Sequence, residues 1–376
     1  MYLKQLNVHG LRNLEDVQLS LSPGANLFWG ANGSGKTSIL EAAYLLSRGR
    51  SFRTRHLRSV INHGKKDCTC FGLLSTDERQ GYPIPMGVNR DVGGKFTFKV
   101  DGEPIRTASQ LAETLPTQLL NNDSFQLLEG APAQRRSFLD WGVFHVEHGY
   151  RSLWVRFQKC LKHRNSLLRH GRIDSAQLAA WDREFVSLAR SITRQREEYL
   201  EQLLPTLQRT IDRLGSPGQM EFNFHAGWDT EKSLEQILAD SRERDRLLGR
   251  TQWGPHRADI RVRCDGRIAS EVMSRGQTKI LITALKLAQG FHFHKVTGRH
   301  CIYLLDDLPA ELDANHRSRV GRMLGELGVQ VLVTGVDRAS LEQSWLDPLS
   351  PAGGGAPHRP TVFHVEQGTV SQHSMV

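Results

Sequence analysis

The chain has 376 residues, of which 39% are hydrophobic and 24% are charged, and its formal charge at pH 7 is +9. This length suffices for two packed units, and the composition is that of a folded globular protein rather than a disordered or fibrous one. The apolar stretches are shorter than the roughly 18 residues of a membrane span, and five cysteines without a CxxC pair argue against a disulfide framework and a zinc site.

The first hundred residues predict short strands and one helix. The opening segment lacks a basic region followed by an apolar run, so we expect no signal peptide and a cytoplasmic location. Apolar and polar residues alternate at 17–21, and the apolar run 26–29 is typical of a buried strand that leads into a loop. Helical spacing follows over 38–48, and a second alternation at 96–100 ends at a predicted hairpin turn, Asp101-Gly102.

The middle of the chain predicts helices. We expect a helix over 150–170, a turn at 170–172, and a long amphipathic helix or helix pair over 178–214, broken or kinked near Pro205. Residues 151–214 contain 13 Lys/Arg and 7 Asp/Glu, so this segment carries most of the net positive charge. Two interpretations stay open: a solvated helix face, or a basic helical arm near a nucleic-acid backbone. The basic chain as a whole indicates a polyanionic partner, nucleic acid first.

The last third returns to strands and helices. Its predicted elements are a strand at 258–264, a helix at 277–290, strands at 301–305 and 329–333, a surface loop at 351–360 and a strand at 361–366. The whole pattern predicts an α/β protein in which residues 1–118 and 298–376 form a head with a mixed sheet. Residues 119–297 form an inserted, mainly helical lobe.

The most informative motif is GANGSGKT at residues 30–37, which lies between the apolar run and the first helix. It matches G-x-x-x-x-G-K-[ST], in which backbone N–H groups surround phosphate oxygens at a helix N-terminus. Lys36 is expected to reach the β- and γ-phosphates of ATP, and the Thr37 hydroxyl to ligand Mg²⁺. The predicted nucleotide-binding residues are Gly30, Ala31, Asn32, Gly33, Ser34, Gly35, Lys36, Thr37 and Ser38.

A second motif, CIYLLDDL at residues 301–308, is an apolar strand that ends in two carboxylates. Behind a phosphate-binding loop, the first acid of such a strand anchors magnesium, so Asp306 joins Thr37 as a predicted metal ligand. Asp307 is then placed to orient or deprotonate the attacking water. Lys36 and Asp307 are therefore the predicted catalytic residues.

A third motif, SRGQ at residues 274–277, opens an amphipathic helix. Ser274 and Gly276 at a helix N-terminus could bind an anion, although alone the motif is also an ordinary helix cap. With ELD at 311–313, it completes the four motifs of an ABC ATPase: Walker A, signature, Walker B and D-loop.

Taken together, the motifs resemble the RecF recombination and repair family. The resemblance runs from residue 3 to about 335, and the segments that carry it are, in order, LNVHGLRNLEDVQL, the phosphate-binding loop with ILEAAYLL, RSFRT, QRRSFLD, GPHR, SRGQ and LLDDLPAELD. An ordered set of this kind is far more specific than any one motif.

The resemblance implies an SMC-like ABC ATPase head without long coiled coils. It implies action with RecO- and RecR-type mediators on double-stranded DNA and at gapped or single-strand/double-strand junctions, where the recombinase is loaded. It also implies that ATP joins two heads into a homodimer. In that dimer Ser274, Gly276 and Gln277 contact the γ-phosphate of the other subunit's ATP.

Several positions depart from the family pattern. No glutamine-loop equivalent can be placed in LLNNDSF at 119–125, and Thr334-Gly335 follows the strand at 329–333 where a switch histidine is usual. We therefore expect slow Mg-dependent hydrolysis that acts as a switch. Arg53, His256 and Arg257 have two open interpretations, a nucleotide or cross-dimer contact or a structural ion pair.

Three other classes of protein compete with this interpretation. A transporter's nucleotide-binding subunit is expected to show a glutamine loop and a switch histidine, and neither is evident. A structural SMC-type tether requires a longer helical arm. A nuclease-associated head requires a separate partner, because the sequence shows no dense His/Asp cluster.

Overall fold

The computed structural model describes residues 1–54, 56–79, 82–169, 175–345 and 359–373. The predicted turn at 170–172 and residues 351–358 of the predicted loop lie outside them. The chain forms two compact units: unit 1 comprises residues 1–124 and 283–376, and unit 2 comprises residues 125–282. Compactness does not show that either unit is a domain, so the limits 1–118, 119–297 and 298–376 stay a prediction.

The described residues form fifteen strands and thirteen α-helices. The strands are β1 Tyr2–Leu11, β2 Leu14–Ser20, β3 Ala25–Trp29, β4 Asp67–Ser75, β5 Ile84–Asp91, β6 Phe96–Val100, β7 Glu103–Ile105, β8 Thr117–Leu120, β9 Met220–His225, β10 Asp259–Cys264, β11 Arg267–Ile268, β12 Ile302–Leu305, β13 Val331–Gly335, β14 Thr361–Glu366 and β15 Thr369–His373. The helices are α1 Lys36–Arg48, α2 Ala108–Thr114, α3 Gln126–Glu129, α4 Pro132–Val146, α5 Tyr150–Arg169, α6 Ser175–Leu214, α7 Leu234–Asp240, α8 Arg242–Leu248, α9 Ala269–Val272, α10 Arg275–Thr297, α11 Leu308–Glu311, α12 Ala314–Leu327 and α13 Arg338–Gln343.

Unit 1 contains two six-stranded sheets. One has the order β2-β1-β4-β5-β6-β7 and is antiparallel. The other has the order β15-β14-β3-β13-β12-β8, in which every neighbouring pair is parallel except β14 with β15. Helix α1 contributes Ile39, Leu40 and Leu46 to one core with residues of both sheets.

The sequence patterns of the two sheets reflect their environments. All four residues of β12 are buried, as expected for a strand covered on both faces of a parallel sheet. Strand β4 alternates buried and half-buried positions over nine residues. The carboxyl ends of the parallel strands β3, β12 and β13 lie at the same edge, and the phosphate-binding loop and the Asp306-Asp307 pair follow two of them.

Unit 2 is mainly helical and has a small sheet with the order β11-β10-β9. Its helix α6 has 40 residues and continues through Pro205, so the helix is not broken at that residue, and the alternative, a kink, stays a prediction. Pro205 lacks the N–H group that would donate a hydrogen bond within the helix. The row of buried apolar side chains nevertheless continues on both sides of it, with Leu203 and Leu207. Packing of this row outweighs one missing hydrogen bond. No described helix is long and apolar enough to cross a membrane.

Candidate nucleotide site

The loop between β3 and α1 has a backbone that only glycine adopts without strain. Gly30, Gly33 and Gly35 have φ values of 155°, 80° and 119°. A β-carbon on Gly30 would overlap the carbonyl oxygen of Val365 on β14. The glycines therefore allow the loop to fold closely against the sheet and to lead into the N-terminus of α1, where a phosphate is favoured.

A cavity of about 430 Å³ opens beside this loop. Its lining is formed by residues of the loop, of the first turn of α1, of the β1–β2 turn, of the segment after α1 and of the ends of β12 and β13: Arg12, Asn13, Asn32, Gly33, Gly35, Lys36, Thr37, Ser38, Arg53, Asp307 and Thr334. The structure thus brings Asp307 to the same cavity as the loop.

Lys36 is a buried cation at this cavity, with 8% of its surface exposed. Its Nζ donates hydrogen bonds to the carbonyl oxygens of Gly30 and Ala31, at 2.8 and 2.7 Å. Burial lowers the pKa of Lys36, and the nearby carboxylates of Asp307 and Asp306 partly oppose this effect. An anionic ligand beside the ammonium group would offset this desolvation.

Asp306 is held by hydroxyl groups from two other segments. Its Oδ1 accepts from Thr37 Oγ1 at 2.9 Å and from Thr334 Oγ1 at 2.8 Å. Burial raises the pKa of Asp306, and these two hydrogen bonds oppose the rise. Hydroxyl and carboxylate oxygens at this separation fit the ligand preference of Mg²⁺. The described residues contain no cluster of three or more His, Cys, Asp and Glu that suits a metal ion, and a site completed by phosphate oxygens needs none.

Asp307 adopts a left-handed backbone conformation, with φ 51° and ψ 45°. Its N–H donates to Thr334 Oγ1 at 2.8 Å. This conformation turns the chain sharply between β12 and α11. Thr334 therefore contacts both acids of the pair.

Arg12 and Asn13, in the turn between β1 and β2, also belong to this site, although sequence reasoning did not select them. Asn13 Nδ2 donates to the carbonyl oxygen of Ser34 at 3.0 Å, and Asn13 Oδ1 accepts from Ser38 Oγ at 3.2 Å. Arg12 makes a bidentate pair with buried Glu41, at 3.0 and 2.9 Å. A positive φ at Arg12 marks the turn, but only pairing of β1 with β2 shows where the turn points.

The position of Arg53 is consistent with both interpretations of this residue, a nucleotide or cross-dimer contact and a structural ion pair. Its Nη1 lies 3.6 Å from Glu41 Oε2, and the side chain, 44% exposed, also lines the cavity. His256, in unit 2, is held by a contact within that unit: its Nε2 is 3.0 Å from the carbonyl oxygen of Thr251. Burial lowers the pKa of His256 to about 4.

The SRGQ motif forms the N-terminus of α10 in unit 2. The Gln277 N–H donates a hydrogen bond to Ser274 Oγ at 3.3 Å, and the Ser274 N–H donates one to Gln277 Oε1 at 2.8 Å. This reciprocal pair is a capping box, so the predicted helix cap is present. Ser274 and Gly276 are exposed, and a β-carbon on Gly276 would meet only Ser274 Oγ, at 4.0 Å. The surface beside the cap is open to a partner.

Comparison with known proteins agrees with this geometry. Residues 2–349 match the family described as the RecF/RecN/SMC N-terminal domain. The DNA replication and repair protein RecF of Pseudomonas syringae pv. syringae is 47% identical over 372 residues, which cover 99% of this chain and 98% of that protein.

Solved structures show the same fold. The recombination mediator protein RecF with ATP, in the RecFOR pathway, superposes with a TM-score of 0.84 at 26% identity, over 99% of this chain and 98% of that one. An Smc head bound to the C-terminal winged-helix domain of ScpA superposes with a TM-score of 0.58 at 15% identity, over 100% and 98% of the two chains. The predicted α/β class with an SMC-like ATPase-head fold is thereby confirmed, and the chain belongs to the RecF family.

Proposed function

We propose that this chain is an ATP-switched DNA-binding protein of recombinational repair. The observation that carries the proposal is the convergence of Lys36, Thr37, Asp306 and Asp307 on one site beside a glycine loop. The full-length similarity to RecF proteins, one of them solved with ATP, supports the same conclusion. The transporter, tether and nuclease alternatives have no comparable support.

In this proposal ATP lies along the loop from Gly30 to Ser38. The N–H groups of the loop and of the first turn of α1 bind its phosphate oxygens, and Lys36 neutralises the β- and γ-phosphates. Thr37 and Asp306 hold Mg²⁺, which offsets the charge of the phosphates. Hydrogen bonding from Thr334 fixes the orientation of the Asp306 carboxylate for this role.

Asp307 is the proposed general base. It lines the cavity, and its backbone is fixed by the hydrogen bond to Thr334. In this proposal its carboxylate accepts a proton from the attacking water. Thr334, near the end of β13, stands where a histidine is usual, and a hydroxyl is a poor proton acceptor at neutral pH. Because this position has threonine and not histidine, we expect ATP hydrolysis to be slow, as suits a switch.

A second copy of the chain completes the proposed site. Ser274, Gly276 and Gln277 contact the γ-phosphate of the other subunit's ATP, through the exposed N-terminus of α10. ATP thereby joins two heads. RecR- and RecO-type mediators are the proposed protein partners of this dimer.

The formal charge of +9 supports contact with the phosphate backbone of DNA, including gapped duplexes. In a dimer, the basic surfaces of two chains can contact one DNA molecule. The second contact gains from effective concentration, which can raise affinity by roughly a hundredfold. Binding that relies on phosphates weakens steeply with salt and has little sequence preference.

The test is DNA binding by fluorescence anisotropy on a gapped duplex, with ATP, with ADP and without nucleotide, across a salt series. Light scattering under the same conditions gives the oligomeric state. We expect ATP to produce a dimer and to raise DNA affinity. Ser274→Arg is expected to bind ATP as a monomer without this gain, because a bulky cation replaces the small hydroxyl.

The variant also separates the parts of the proposal. Tight DNA binding by monomeric Ser274→Arg, equal in all nucleotide states, rejects the ATP-switched dimer and leaves nucleotide binding intact. Loss of ATP binding in this variant rejects the assignment of Ser274 to the partner's nucleotide.

A further inference from the structure

The small sheet of unit 2 has an incompletely paired strand. Strand β10 pairs with β9 along its whole length, from Asp259 to Cys264. On its other side it pairs with β11 only at Arg263 and Cys264. Among the described residues, the edge of β10 from Asp259 to Val262 has no neighbouring strand. Unpaired strand edges are ready sites for another chain.

The register shows which backbone groups face the open side. Asp265 N–H donates to the carbonyl oxygen of Gln219 at 2.9 Å, which continues the β9 side of the ladder. Backbone groups of successive residues in a strand point to opposite sides. Asp259, Arg261 and Arg263 therefore bond β9, whereas the backbone groups of Ile260 and Val262 face the open edge.

Side chains cover only the beginning of this edge. Arg136 Nη1 donates to the carbonyl oxygen of Ala258 at 2.8 Å, and the Ile260 N–H donates to Asp259 Oδ1 at 2.9 Å. Three groups of the edge are left without a described neighbouring strand: the Ile260 carbonyl, the Val262 N–H and the Val262 carbonyl. The first two flank Arg261. These two groups are spaced as one residue of a parallel partner strand requires, since that residue donates to the first and accepts from the second.

The edge lies in a groove of about 360 Å³ within unit 2. Besides residues of β10 and Arg135, its lining includes Leu128, Glu129 and Gly130 from α3 and its end, and Ile268, Ala269 and Ser270 from β11 and α9. Ile268 has 49% of its surface exposed, which is high for a large apolar side chain in contact with a sheet. The groove therefore offers hydrogen-bonding groups of β10 and an exposed apolar side chain in its lining.

The charge of the groove favours an acidic occupant. Arg261 and Arg263 are exposed on the outer face of β10 and line the groove. Asp259 is already neutralised by Arg135, through two hydrogen bonds of 2.6 and 3.1 Å. Only the exposed Glu129 opposes the two arginines within this lining.

We propose that this edge of β10 binds an extended segment of a partner protein, which adds to the sheet as a strand parallel to β10. The segment has an acidic residue beside Arg261, flanked by apolar residues that share the inward face of Ile260 and Val262. Backbone hydrogen bonds supply affinity in such a complex, and side chains supply selectivity. A nucleic acid would use the arginines but has no means of pairing with a strand edge.

The probe is a fluorescent peptide, acetyl-Ser-Gly-Val-Glu-Val-Gly-Ser-amide, titrated with the full chain. We expect saturable binding that is at least about tenfold tighter than for the same peptide with Lys in place of Glu. Methylation of the Glu amide nitrogen removes the donor to Ile260 and is expected to weaken binding at least about tenfold. Hydrogen exchange at the Val262 amide is expected to slow when peptide binds.

Two protein variants test the same contacts. Arg261→Glu is expected to reverse the preference between the Glu and Lys peptides, whereas Arg244→Glu, an exposed arginine that does not line the groove, is expected to change neither affinity. Val262→Pro removes the N–H that faces the groove and keeps the hydrogen bonds to β9. It is therefore expected to weaken peptide binding without a change in secondary structure, which circular dichroism measures.

Absence of peptide binding to the wild-type chain overturns the proposal. Equal binding of the N-methylated peptide also overturns it, because strand addition requires that hydrogen bond. If a short DNA duplex binds in an Arg261-dependent manner and the peptides do not, the arginines form a nucleic-acid surface and the strand proposal is rejected.

Discussion

Two buried cations, Lys36 in unit 1 and Arg164 in unit 2, are used in opposite ways. Arg164 has 0% of its surface exposed and pairs with Asp182 at 2.7 Å and with Asp245 at 2.9 Å. Lys36 forms no ion pair with a described residue and is held by two backbone carbonyl oxygens. The charge of Arg164 is neutralised within the fold, whereas that of Lys36 is not paired with a described carboxylate.

The same contrast extends to their acidic neighbours. Burial raises the pKa of Asp245, and the hydrogen bond and charge of Arg164 oppose the rise. The pKa of Asp306 is also raised by burial, and the largest opposing contacts are the hydroxyl groups of Thr334 and Thr37, with a smaller contribution from the charge of Arg53. Neutral contacts keep a carboxylate in place without neutralising it. The comparison indicates that the fold leaves charges of a candidate binding site uncompensated, whereas it compensates the charges of a structural network.

The largest expected effect is on stability. Arg164→Ala is expected to lower the free energy of unfolding by about 3–5 kcal/mol, because Asp245 stays buried without its cation. Lys36→Ala is expected to lower it by less than about 1 kcal/mol and to reduce ATP affinity by about a hundredfold or more. Urea unfolding and calorimetric titration measure the two quantities. Equal stability losses, or wild-type ATP affinity in Lys36→Ala, contradict the contrast.

The next effect concerns the two acids. Asp307→Asn is expected to bind ATP and to slow hydrolysis by about a hundredfold, because the amide cannot accept a proton. Asp306→Asn is expected instead to weaken Mg-dependent ATP binding, which titration with and without Mg²⁺ reports. Asp16→Asn, at an exposed position of β2, is the matched control. Unchanged turnover in both site variants shows that the strand end is misassigned.

A smaller effect concerns pH and unit 2. Burial lowers the pKa of His256 to about 4, below its ordinary value of 6.5, so the unfolded chain binds more protons between these values. Stability therefore falls as pH decreases from about 6.5 to 4, by up to about 1.4 kcal/mol per pH unit from this group. His256→Phe is expected to flatten this slope. The exposed His63→Phe is the control, and an equal slope in wild type and His256→Phe refutes the assignment.

The smallest effect separates the two arginines beside Glu41. Arg53→Ala is expected to change stability by less than about 1 kcal/mol, because the side chain is 44% exposed and its pair is 3.6 Å long. Arg12→Ala is expected to cost more, since its bidentate pair with Glu41 is lost. If Arg53→Ala reduces ATP affinity while stability is kept, Arg53 contacts the nucleotide. Equal stability losses show that the two pairs are equivalent.

The sequence by itself determined the local parts of the site. The loop 30–37, its strand before and its helix after are set by nearest neighbours along the chain: glycine freedom, an apolar run and helical spacing. The same holds for the buried strand that ends at Asp306 and for the capping box at Ser274. Each of these signals needs only a few adjacent residues.

Only the tertiary structure decided which distant residues meet. Thr334 reaches Asp306 because β12 and β13 are parallel neighbours whose ends share one edge, and Thr37 reaches it across 269 positions of the chain. Asn13 enters the site because the β1–β2 turn lies against the loop. Helix α6 continues through Pro205 because its buried stripe packs on both sides. Each outcome depends on strand pairing or packing between separate segments, which the residue pattern of one segment does not specify.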